Sequence, residues 1–184
     1  VLMERHANAM AQSEKRHAIS RDLVEGLRYA RNRPRVSSLL LLSAVNSLFG
    51  APYFTLVPIY ARDIFHLGET GLALLMGTAG GGALCGALLV AYLGDFKRKG
   101  WFVLGGGILF GICIMGFAVS SRLMPSLLFL FGLGFAIVCS VSVTNTLLQK
   151  LVTDEMRGRV MSMFLLSFLG TMPIGNLIAG TAST

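Results

Sequence analysis

Residues 71–100 read GLALLMGTAGGGALCGALLVAYLGDFKRKG. From Gly71 to Leu93, 23 residues pass without an Asp, Glu, Lys, Arg or His. About 20 apolar residues, rising 1.5 Å each, cross a bilayer core of about 30 Å, so this stretch is long enough to span. It ends abruptly in Lys97-Arg98-Lys99, a basic cluster of the kind that stays on the cytoplasmic side. Small residues recur every fourth position: Gly77/Gly81, Ala79/Ala83/Ala87 and Gly82/Gly86. That spacing lays small side chains along adjoining faces of a helix and lets neighbouring helices approach closely. The stretch is therefore expected to be a membrane helix packed on more than one side.

Four further ion-free runs repeat the pattern, giving expected spans at Ser37–Ala61, Gly71–Leu93, Trp101–Val119, Leu123–Leu148 and Val160–Ala182. Five such helices would leave a soluble domain almost no polar surface, and 54% hydrophobic against 14% charged residues excludes that class. The expected fold is all-α integral membrane: a cytoplasmic linker at residues 1–36, then a transmembrane bundle at residues 37–184. The net charge of +7 has the same origin. Of 16 Lys and Arg, eight precede Ser37, three lie at Lys97–Lys99 and three are Lys150, Arg157 and Arg159, while the opposite loops hold only Arg62 and Arg122. This alternation predicts a cytoplasmic N-terminus. A nucleic-acid binder would gather its basic residues on one face, so no nucleic-acid partner is expected.

Outward from the spans, Ile19, Leu23, Leu27 and Ala30 share a helix face, with Arg21, Asp22, Glu25, Arg28 and Arg31 on the others. This predicts an amphipathic helix over about 19–33, N-capped by Ser20, ended by Pro34 and lying at the cytoplasmic interface. Solvated connector is the other reading. In the first span Pro52 and Pro58 each remove a backbone donor, and Asn46, Gly50, Tyr53, Val57 and Tyr60 fall on one stripe. Asn46 must face protein or a wet cavity, since an unpaired amide is costly in hydrocarbon. In the fourth span LMPSLLFLFGLGFAIV reads as hydrocarbon filler, whereas Ser142, Asn145, Thr146 and Gln149 align on one face as a polar stripe. The loop Ser120–Arg122 is too short to let spans three and four be anything but antiparallel neighbours. Cys85, Cys113 and Cys139 show no metal-ligand spacing and read as small core residues. A chain that begins at Val1 and stops on a fifth span reads as a piece of a longer protein.

Several stretches together resemble the C-terminal half of a major facilitator superfamily transporter, in the branch of bacterial exporters that includes enterobactin exporters and macrolide-type efflux pumps. They are LVEGLRYARNRP, PYFTLVPIYARDIF, GALLVAYLGDFKRKG and QKLVTDEMRGRVMSMFLLSFLGTMPIG, in that order. The resemblance implies five of the six helices of that half, with the whole N-terminal half as a missing partner. It also implies an inner-membrane permease that exports small amphipathic molecules such as drugs or siderophores, with lipid and substrate as its other partners. AYLGDFKRKG is similar to the superfamily's loop motif, keeping Leu93 and Asp95 and departing at Ala91, Phe96 and Arg98. By that resemblance Asp95 latches the halves on the cytoplasmic side, and Arg157 and Arg159 serve the gate. From the residues alone, Asp95 is equally a flanking carboxylate, and the two arginines equally snorkel to phosphates. GTMPIGNLIAG, with Pro173, resembles the bend of drug exporters.

The expected substrate-contacting residues are Asn46, Tyr53, Phe54, Ser142, Asn145 and Thr146. No cofactor and no metal is expected, and no enzyme activity, because no cluster of His, Asp, Glu or Cys faces the membrane surface. No span carries an ionisable side chain. If transport is driven by the proton-motive force, the proton carrier belongs to the other half. A non-transporting membrane subunit or assembly protein fits the composition as well, but leaves the polar stripes and kinks without a purpose.

Overall fold

The computed structural model describes residues 25–94 and 99–182, apart from the side chains of residues 51, 54–56, 99, 172, 174, 176 and 178–182. The described residues form helices and short connections. Residues 25–31 are helical (α1), followed by α2 Pro34–Ile59, α3 Gly68–Leu93, α4 Lys99–Val119, α5 Leu123–Leu151 and α6 Asp154–Ala182. Among them Gly68–Leu93, Gly100–Val119 and Leu123–Leu151 are long and apolar enough to cross a membrane. Leu27, Leu41, Leu84, Leu88, Trp101, Ile108, Met115 and Leu128 are all more than half exposed, an apolar surface that suits lipid and not water.

Each helix outruns its apolar run at one end. Glu69 lies in the first turn of α3, and Asp154 and Glu155 in the first turn of α6, where unpaired N–H groups favour a carboxylate. Part of the expected loop KLVTDEMRGR is thus helical: α5 continues to Leu151, and α6 begins at Asp154. Pro34 likewise does more than stop a helix. α1 ends at Arg31, and Pro34 opens α2, the first-turn position where its missing N–H costs nothing.

α2 runs on through Pro52 and Pro58, then widens into a π turn at Tyr60–Ile64. The Phe65 N–H reaches the Tyr60 carbonyl at 3.0 Å, and Leu67 reaches Ala61 at 3.1 Å. His66 and Gly68 then take positive φ, 52° and 58°, turning the chain into α3. The Tyr60 ring lies 4.7 Å from that of Phe117, and its hydroxyl donates to the Ala118 carbonyl at 2.9 Å. This end of α2 is thereby pinned to the end of α4.

α5 is the central helix. Leu130, Leu133 and Ala136 are fully buried and Gly134 is buried, so the stretch expected to be hydrocarbon filler is the packed middle of the bundle. Along α4 and α5 the close approaches pair Gly106 with Ser140, Gly132 with Cys113, and Gly116 with Phe129. One index falls as the other rises, so the two helices are antiparallel. Between α3 and α5 both indices rise. A Cβ on Gly82 would strike the Phe131 carbonyl, and one on Gly86 would lie 2.8 Å from the Phe135 carbonyl and 3.3 Å from Cys139 Sγ. A Cβ on Gly134 would strike the Ala79 carbonyl from the other side. Glycine is required at these positions because the two backbones touch. The Gly77/Gly81 stripe points elsewhere: Gly77 is exposed with open space before it, and Gly81 only grazes Phe131.

Two apolar clusters result. One joins Tyr53, Val57, Ala61, Leu75, Phe110, Cys113, Phe117, Leu130, Leu133 and Ala136. The other gathers Ala30, Val36 and Leu40 with Leu148, Val152, Val160 and Phe164, at the end where α1 and the α5–α6 turn meet.

Candidate functional site

The polar groups of the bundle fall into three places. On α5, Ser142, Asn145 and Thr146 are each half-buried, one face of a helix whose opposite side is packed. The Thr146 hydroxyl turns back to the Ser142 carbonyl at 2.9 Å, and Gln149 Nε2 donates to Asn145 Oδ1 at 2.6 Å. The stripe therefore satisfies part of its own hydrogen bonding along α5. The Asn145 amide nitrogen donates in none of these bonds and remains able to serve a ligand.

Asn46 lies elsewhere. It borders a groove of about 410 Å³ between α2 and α4, with Val45, Phe49, Leu104, Ile108 and Met115. The rest of its stripe turns toward the same neighbour. Gly50 meets Phe110, Tyr53 packs edge-on against Phe117 at 6.3 Å, and Val57 is fully buried. Tyr53 is 3% exposed within the larger apolar cluster, and the Phe54 side chain is outside the described residues. The structure thus brings Ser142, Asn145 and Thr146 together, and it puts Asn46 and Tyr53 on the α4-facing side of α2, apart from them.

The third place was not singled out in the sequence. Ser47, buried at 5% exposure, donates from its hydroxyl to the Phe168 carbonyl, and the Thr171 hydroxyl is 3.5 Å from the Ala44 carbonyl. The Ser47 bond crosses from α2 to α6 just before Pro173, whereas the Thr171 hydroxyl donates to the Ser167 carbonyl of its own helix at 2.6 Å. Ser43 and Ser47 are separated by four residues, and that period was the available signal. Lone serines in leucine-rich runs carry too little polarity to stand out. Ser140 and Thr144 of α5 are also buried.

Charge is confined to the helix ends. Arg157 pairs with Asp154 of its own first turn at 2.6 Å, and Arg159 pairs with Glu25 of α1. Asp95 is outside the described residues. Among the described residues no group of three or more His, Cys, Asp or Glu could hold a metal ion. Cys113 and Cys139 are buried among the helices, and Cys85 is exposed.

An all-helical membrane bundle with backbone-close helix contacts, uncharged interior polar groups and proline-bearing helices is the architecture of a polytopic transporter. A family model described as transmembrane secretion effector matches residues 1–184, and the chain belongs to that family of major facilitator transporters. It is also 21% identical over 160 residues to "Uncharacterized MFS-type transporter YfmI" of Bacillus subtilis (strain 168). That alignment takes in 85% of this chain but 39% of the relative, so the chain spans about two fifths of that protein's length. No solved structure matches the chain.

Proposed function

We propose that this chain is the C-terminal part of a secondary active exporter that carries small amphipathic molecules outward by alternating access. In such transporters two bundles rock about a site near the membrane midplane. The observation that carries the reading is the half-buried polar face of α5 at Ser142, Asn145 and Thr146, beside fully packed positions such as Val143 and Thr144. An uncharged, hydrogen-bonding wall in an apolar surround suits an amphipathic substrate, which gains orientation from the amide without a charge to desolvate. Pro52 and Pro58 in α2 and Pro173 in α6 give the flanking helices places to bend.

By this reading the other half of the transporter supplies any proton carrier, and Asp95 latches against a helix N-terminus of that half. The protein sits in the inner membrane with the N-terminal side of the chain in the cytoplasm. Single cysteines at Lys150 and Arg122 of the full-length protein should then label from opposite faces in intact cells. Labelling of Lys150 but not Arg122 from outside would reverse the topology, and labelling of both from outside would overturn α5 as a span.

The test of function compares the full-length protein with empty vector across a panel of growth inhibitors in a drug-sensitive host. Protection against some compounds is expected, and Asn145→Leu should change which compounds are tolerated while leaving expression intact. An unaltered pattern would remove Asn145 from the transport path.

A further inference from the structure

Glu25, at the start of the described chain, stands 134 residues from its ionic partner, the Arg159 guanidinium in the second turn of α6. Both side chains are only about one-third exposed, at 37% and 35%. The next residue is seated against the same turn. Gly26 is buried, and a Cβ there would lie 2.7 Å from Met163 Sδ and 3.7 Å from Arg159 Cβ. One helical turn on, Ala30 is 3% exposed, within the cluster of Val36, Leu40, Leu148, Val152, Val160 and Phe164. Arg33 lies over the Tyr29 ring at 4.8 Å, and the Arg33 carbonyl accepts from the Val36 and Ser37 N–H groups as α2 begins.

Of the apolar stripe expected to rest on lipid, Ile19 and Leu23 lie outside the described residues and the other two differ. Ala30 faces protein, and Leu27 is 61% exposed. Gly26, with no side chain to contribute to amphipathicity, marks the face that docks.

We propose that residues 25–36 form a strap across the α5–α6 turn, held by the Glu25–Arg159 pair and by the seat of Gly26 on Met163. The strap joins the leading end of α2 to the first two turns of α6, so a displacement of the connector is delivered to both helices together. It ties one side of the Arg159 guanidinium to Glu25 of this chain. Neither statement depends on the substrate or on the direction of transport.

The test uses the full-length protein with Cys85, Cys113 and Cys139 replaced by Ala and a single reporter, Ala30→Cys, at the buried position. Labelling by a maleimide-polyethylene glycol should be slow in this background. Glu25→Arg and Arg159→Glu should each speed it about fivefold, the factor set by a surface ion pair at the upper end of its usual strength. The Glu25→Arg/Arg159→Glu swap should return the rate close to the parent's. Equal rates in all four proteins would overturn the strap, and so would singles that are fast with a swap that restores nothing. Where a charge reversal prevents folding, Glu25→Gln and Arg159→Gln replace it and are read on the same scale. A second arm places cysteines at Gly26 and Met163. Mild oxidation should join them in most molecules, and a pair that never forms a disulfide refutes the seat.

Discussion

Two of the parallel helix pairs in this bundle, α3 with α5 and α2 with α6, are joined in opposite ways. α3 and α5 meet backbone to backbone, with Gly82, Gly86 and Gly134 facing carbonyls. α2 and α6 meet through the Ser47 hydroxyl and through apolar side chains such as Val36, Leu40, Val160 and Phe164. At its glycines the first seam sets backbone against backbone, so a relative slide drives carbonyl against Cα. The second is made of parts that re-form after a shift: a hydroxyl can exchange one carbonyl for the next, and Pro52, Pro58 and Pro173 leave carbonyls in the same two helices without an N–H partner. The contrast teaches where motion belongs. α3 and α5 are the frame, and α2 and α6 are the pieces able to bend against it.

The strongest way to break this contrast is to widen the glycine seam. Gly82→Leu puts a branched side chain into the Phe131 carbonyl and should cost about 3 kcal/mol or more, the severe end of overpacking. The expected result is loss of a monodisperse full-length protein on size-exclusion chromatography. A normal elution profile with an unchanged melting curve would show that α3 and α5 separate freely. A smaller effect is expected on the other seam. Ser47→Ala removes one hydroxyl bond to Phe168 and should lower stability by about 1 kcal/mol, as for a typical buried hydrogen bond. The readout is the thermal midpoint in detergent. A Ser47→Ala drop as large as that of Gly82→Leu would invert the assignment of frame and moving part. The smallest effect belongs to a glycine outside both seams. Gly105 of α4 is exposed with open space around it, so Gly105→Ala should be neutral or slightly stabilising, within about 1 kcal/mol from helix propensity. A marked loss at Gly105 would mean that a neighbour absent from this chain covers α4 there.

Much of the architecture was legible in the sequence, because helix length, ion-free runs and the spacing of glycines are written locally. The stripe Gly82/Gly86 correctly signals close packing, yet its partner Gly134 lies in a stretch that reads as featureless. Packing is a property of pairs, and one strand of text shows each member separately. The helices run past the ion-free spans for a related reason. The acidic Asp154 and Glu155 look like loop residues until the unpaired N–H groups of a helix start are considered. The candidate site divided in the same way. Ser142, Asn145 and Thr146 share a face by period alone, and the structure has them side by side. Asn46 and Tyr53 share their own stripe as well, but which neighbour a stripe faces depends on the order of helices around the bundle. Periodicity within one helix does not contain that order. The Glu25–Arg159 pair is the extreme case, since no local pattern connects residues so far apart.

The π turn at Tyr60–Ile64 has a consequence for how this chain could change over generations. A π turn closes with one residue more than an α turn, so one position in it is surplus to the ordinary winding. Deleting a single residue there would restore regular coiling and change the direction in which the chain leaves α2. Tyr60 would no longer meet both Phe117 and the Ala118 carbonyl, and the approach to α3 would be re-aimed. A shift of one codon at this spot is thus a ready route to a differently oriented outer rim, with the helices beneath it unaltered.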